Sequence, residues 1–179
     1  MQLTESMQTF ILHWGEMGSR WGVNRTVAQV HALLYLSGEP LSADEIVETL
    51  QVARSNVSTS LRELQNWKLV EVVPSMGDRK DRFRTSHDVW HLFLTVLEQR
   101  VEREVEPTVK VLRRCGAEAV SERNADAGVA ARIIAMANFL EETHGWYEKV
   151  KTLSPSQLRM LMKLGTGVTK LLPQKQETR

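Results

Sequence analysis

Between Ser42 and Ser86 the apolar positions change period twice. Ile46, Val47 and Leu50 fall three and four residues apart, and Val57, Leu61 and Leu64 recur at i, i+4 and i+7, each the mark of a helix with one buried side. Leu69 to Val73 is then a β-prone run that Phe83, Arg84 and Thr85 can answer as a returning strand. The pattern predicts a short helix from Ser42, a turn through Gln51, Val52 and Ala53, a second helix from about Arg54 to Trp67, and a two-stranded hairpin. Ser42 followed by Glu45 predicts a capping box. Pro74 to Arg82 has turn chemistry.

The flanks are helical. Thr4 is placed to cap a first helix whose large apolar groups are Met7, Phe10, Ile11, Trp14, Met17 and Trp21. Asn24 is placed to cap a second from Arg25 to Ser37, with Val27, Val30, His31, Leu34 and Tyr35 inward and Gly38 as its C-terminal glycine. After the hairpin, Ser86 heads a long helix to about Cys115 that Pro107 should kink or split. Glu118 to Gly128 reads as a loop, and Val129 to Val150 as another amphipathic helix. Ser154-Pro155-Ser156-Gln157 opens a last helix, which Pro173 stops. The expected organisation is residues 1–22 as an N-terminal helix, 23–86 as a winged helix-turn-helix, and 87–179 as a helical dimerisation or effector region. The fold class is mainly α with a two-stranded β-wing.

The polar positions of the helix from Arg54 to Trp67 give it a use. Opposite Val57, Leu61 and Leu64 stand Ser55, Asn56, Ser58, Thr59 and Arg62, short polar groups and one long cation suited to base edges in a major groove. Arg54 begins that helix, and Arg79, Lys80 and Arg82 lie in the wing, positioned for phosphate. Overall charge is only +1, yet its distribution favours this face: residues 1–52 carry 2 cations and 6 acids, and residues 53–86 carry 7 and 4. The implied partner is double-stranded DNA.

The strings EPLSADEIVETL, SNVSTSLRELQNWKLVE and GDRKDRF followed by DVW resemble the winged helix of MarR-type transcriptional regulators, in the GbsR-like branch. The resemblance covers about Thr26 to Trp90. Ala53 departs from it, standing where such recognition helices often carry a capping Ser or Thr, so Ser55 is an alternative start. The resemblance implies a homodimer on a pseudo-palindromic operator, with the N-terminal helix in the dimer interface; packing of that helix on the C-terminal helices of its own chain is the other reading. It also implies control by a small-molecule effector related to osmoprotectants. Aromatic cages hold quaternary ammonium groups, which makes Trp14, Trp21, Trp90 and Trp146 the effector-binding candidates, against a plain core role.

Other chemistry fares poorly. His87-Asp88-Val89-Trp90-His91 has the i, i+4 imidazole spacing of the HExxH zinc motif, but Asp replaces Glu and no third ligand is evident. A helix opening on Asp accounts for the same residues. Gly165-Thr166-Gly167 lacks the spacing of a phosphate loop, and the single Cys115 permits no intramolecular disulfide. With no nucleophile–base pair, the chain is not expected to be an enzyme, and neither metal nor cofactor is implied. No leader or membrane-length apolar run is seen, so the expected location is cytoplasmic. The competing function is a winged helix serving as a protein-interaction module without DNA affinity of its own.

Overall fold

Side-chain caps set where the first helices begin. In the computed structural model, which describes residues 1–74, 80–122 and 127–168, the Met7 amide donates to Thr4 Oγ1 (3.3 Å) at the start of α1 (Glu5–Arg20). The Thr26 amide donates to Asn24 Oδ1 (2.8 Å) at the start of α2 (Arg25–Leu36). Ser42 and Glu45 form the expected capping box on α3 (Ala43–Leu50). Helix α4 (Arg54–Asn66) starts with Ala53 at its cap position and no side-chain cap, so its start is not displaced to Ser55. Gln51, at φ 54°, turns the chain between α3 and α4.

The strands are β1 (Leu41–Ser42), β2 (Val70–Val73) and β3 (Arg82–Thr85), antiparallel in the order β1-β3-β2. The sequence pattern anticipates β2 and β3 as a two-stranded wing; β1 is a third strand. Leu41 pairs with Phe83 and Ser42 with Arg82, a register that two residues cannot announce by period. Two other boundaries differ from expectation. Helix α2 ends through Ser37, in extended conformation, whose hydroxyl donates to Glu39 O (2.5 Å). Gly38 is therefore not a left-handed cap; among the described residues only Gly22 is a glycine at positive φ. Helix α5 (Val89–Arg100) is opened by Asp88, whose Oδ1 accepts from the Trp90 amide (2.9 Å), and Ser86 instead shapes the turn by accepting from the Asp88 amide (3.1 Å). An acidic cap suits the positive end of the helix dipole.

The chain divides into two units, Met1–Gln99 and Arg100–Arg179. In the first, α2 is the buried strut: Val27, Val30, His31, Leu33 and Leu34 are all inside, and α1, α4 and β3 pack around it. Helix α1 comes unusually close to α2. A Cβ on Gly18 would lie 2.6 Å from Ala28 Cβ, and one on Gly15 would lie 2.7 Å from Gln29 Cγ. Also on α2, His31 Nε2 is 3.2 Å from Thr85 Oγ1. The Thr85 hydroxyl donates its one proton to Leu69 O (2.7 Å), so it accepts from His31, which fixes the neutral Nε2–H tautomer. Burial pushes the His31 pKa down to about 4.

In the second unit, residues Val101–Val105 run as a π-helix and α6 (Glu106–Ser121) follows with Pro107 in its first turn. Pro107 has no N–H to return to the Arg103 carbonyl, and the wider π turn accommodates that loss; where a kink or a split was expected, the chain stays helical through a π segment. Helix α6 continues past Cys115 and takes up Glu118–Ser121, which the pattern assigned to a loop; Ala117, Glu118 and Ala119 favour helix. Helix α7 (Ala127–Val150) packs on α6, with Gly116 meeting Ile134 and Arg113 gripping Glu141 (Nε to Oε1, 2.8 Å). Ser154 and Gln157 cap α8 (Pro155–Val168) as expected. Pro173 lies outside the described residues.

Two outcomes follow from this packing. Gly18→Ala should cost about 1–3 kcal/mol, because α1 must retreat from α2. Gly38→Ala, with open space around it, should cost far less; equal denaturation midpoints for the two variants would refute the close contact. His31 is neutral in both folded and unfolded chains above its ordinary pKa of 6.5. As pH falls from there toward about 4, the unfolded chain takes up a proton that the folded one refuses, so stability is lost across that window. The loss should approach about 3 kcal/mol and be absent in His31→Gln, measured as the difference between the two proteins' urea midpoints at pH 7 and pH 4.5.

Candidate nucleic-acid interface

Helix α4 is anchored by Val57, Leu61 and Leu64, all buried, with Ser60 buried beside them. That fixes its rotation. Ser55, Asn56, Ser58, Thr59 and Arg62 are all exposed, and together they form the polar side that the sequence pattern drew. Its C-terminal end is closed by Lys68 at φ 57°, and the Leu69 amide donating to Leu64 O (2.9 Å) leads directly into β2.

The sequence cations have separate fates. Arg84, on β3 opposite Glu71, donates from Nε to Glu71 Oε1 (2.5 Å) across the strands. Arg82 is half-buried and its Nη1 donates to Pro40 O (3.1 Å) and to Glu45 Oε2 (3.3 Å). The same Glu45 oxygen accepts from the amide and the hydroxyl of Ser42, each at 2.7 Å. Those two Ser42 bonds, with Arg82 adding to them, hold the Glu45 carboxyl below the usual carboxylate range. Arg82 thus ties β3 to the start of α3, rather than standing free for phosphate. Its register opposite Ser42 depends on β1, which is why sequence spacing did not show this use.

Arg54 and Lys80 remain on the outer surface and meet at one residue. Asp44, in the first turn of α3, receives Arg54 Nη1 on Oδ1, and Lys80 Nζ lies 2.9 Å from its Oδ2. Arg79 lies outside the described residues, as do Gly77 and Asp78 of the wing tip.

The remaining candidates fall elsewhere. Trp14 is half-buried and stacks on Phe10 (5.4 Å between ring centroids), and Trp90 meets Phe93 edge-on (6.4 Å). Trp21 and Trp146 are largely exposed. His87 Nε2 donates to Ser37 O (3.0 Å), and it lines, with His91, an open groove of about 600 Å³ between β2, β3 and the Ser37–Pro40 turn. Among the described residues no cluster of three metal-ligating side chains occurs, and no helix is long and apolar enough to cross a membrane. Cys115 is half-buried.

Comparisons with known proteins agree with this geometry. Residues 21–81 match the model of the MarR family. The chain is similar to the HTH-type transcriptional repressor GbsR of Bacillus subtilis (strain 168), 24% identical over 139 residues that cover 76% of this chain and 77% of the relative. It is also similar to the HTH-type transcriptional repressor OpcR of the same organism, 24% identical over 95 residues, 53% of this chain and 45% of that one. A crystal structure of a transcriptional regulator shares the fold with a TM-score of 0.65 at 16% identity, covering 82% of this chain and 96% of that one.

Proposed function

We propose, from the premise that residues 21–81 are a MarR-family winged helix, that this chain is a DNA-binding transcriptional regulator and not an enzyme. The observation that carries the reading is the rotation of α4: its apolar side is locked into the core, so Ser55, Asn56, Ser58, Thr59 and Arg62 can face outward only together. Such a side fits a major groove, where Asn and Arg pair with base edges and Ser or Thr allow close approach. Arg54 and Lys80, with Arg79 of the wing, then meet the phosphates beside it, setting position but not sequence preference. Arg82 supports the wing through Glu45 and Pro40. The names of the relatives, both repressors, support the same class.

The regulator acts as a homodimer. Met136, Phe139 and Trp146 recur at helical spacing on an exposed side of α7, and Met160, Met162 and Leu164 are exposed on α8. Apolar surface of this extent marks an interaction site, and a second copy is the partner a two-fold operator requires. The axis would set two half-sites about 10 bp apart or a multiple of that. An effector would act by biasing the separation of the two α4 helices.

Arg62→Ala should narrow the gap between selected operator and random DNA by about 1–3 kcal/mol. Equal losses on both would make Arg62 a phosphate contact, and binding without steep salt dependence would favour a protein-interaction module instead. Sedimentation at micromolar concentration should give twice the 20.4 kDa chain mass. A folded monomer there would sink the dimer and the two-fold operator with it.

A further inference from the structure

Asp44 sits where the two DNA-facing elements converge. Its Oδ1 receives Arg54, the first residue of α4, and its Oδ2 receives Lys80, at the base of the wing tip (2.9 Å). One carboxylate therefore joins the recognition helix to the wing across their outer surface. We propose that Asp44 is an internal competitor for the DNA backbone, holding in the free protein the anion position between Arg54 and Lys80 that a phosphate takes in the complex. This rests on the DNA-binding reading above.

The chemistry supports an exchange. A carboxylate and a phosphodiester are both monoanions offering two acceptor oxygens, so the same pair of cations satisfies either. The side chains of Arg54, Lys80 and Asp44 are 60%, 63% and 41% exposed, and ion pairs this wet are weak enough to give way. Neighbouring Glu45 shows the contrast: its side chain is equally exposed, but the Ser42 amide, the Ser42 hydroxyl and Arg82 all converge on one of its oxygens, a convergence that Asp44 lacks. Once phosphate arrives, Asp44 loses its partners and leaves a negative charge beside the DNA. That penalty is the same for every base sequence. Asp44 thus lowers affinity for all DNA while leaving the preference for operator to the α4 side chains, which keeps the protein from lodging on random sequence.

The test is Asp44→Asn, which keeps the size of the side chain and leaves the Glu45 capping box in place, with binding to a random-sequence duplex followed by fluorescence anisotropy across a salt series. Affinity should rise by about two- to thirty-fold per protomer, the range that two exposed ion pairs span. The slope of log affinity against log salt should steepen by about 0.9 per protomer. Asp44→Glu, retaining the charge, should stay near wild type. In an Arg54→Gln, Lys80→Gln background the Asp44→Asn gain should largely vanish. Unchanged or weaker binding by Asp44→Asn, with helical content intact by circular dichroism, would overturn the proposal and make Asp44 an organiser of the cations. A gain that persists in full in the double background would also overturn it, leaving only a long-range field. Absence of salt-dependent binding in every variant removes the DNA reading itself, and the competitor with it.

Discussion

Helix α2 is the constraint on which the first unit depends. It is apolar on several sides at once, with Val30, Leu33 and Leu34 shut away from solvent, and a helix of that kind must be surrounded. Each such side chain contributes roughly 1.5–3 kcal/mol by burial, far more than any surface ion pair in the molecule. The elements that surround α2 carry the proposed recognition surface. Helix α4 presses Val57, Leu61 and Leu64 inward, and β3 brings Phe83 and Thr85. The exposed side of α4 is therefore set by what α2 leaves no room for. Close approach of α1 through Gly15 and Gly18 braces the strut as well.

Against that packed frame, two adjacent carboxylates divide the polar work. Glu45 turns back to the Ser42 amide and hydroxyl and to Arg82, tying the start of α3 to β3. These three bonds converge on a single carboxylate oxygen. Asp44 binds Arg54 and Lys80, which flank the proposed recognition surface, in bonds open to solvent. The first arrangement is structural because breaking it strands a cap and a half-buried guanidinium. The second is exchangeable because water or another anion can replace either partner at small cost.

Much of this was legible along the chain. The apolar period of 3.6 placed α3 and α4, and the polar residues left over on α4 are the exposed ones in the fold. Local hydrogen-bonding chemistry gave the Thr4, Asn24 and Ser42 caps and the Ser154–Gln157 pair, because a cap is a contact between residues two or three apart. Where two local signals competed, the choice was less secure: Ser86 and Asp88 both suit a helix start, and Ser37 ended α2 before Gly38 was needed.

The sequence by itself determined the helices of the winged helix, its hairpin strands β2 and β3, and which side of α4 is polar, since all of these depend on periodicity and near neighbours. Only the tertiary structure decided what the charged residues do. Asp44 meets Arg54 and Lys80, and Arg82 meets Glu45 and Pro40, across separations of 10 to 42 residues that no local pattern encodes. The physical reason is that a long cation on a surface has many carboxylates within reach of its composition but few within reach of its stem. Which one it finds depends on the two-residue strand β1, whose pairing with β3 places Arg82 opposite Ser42.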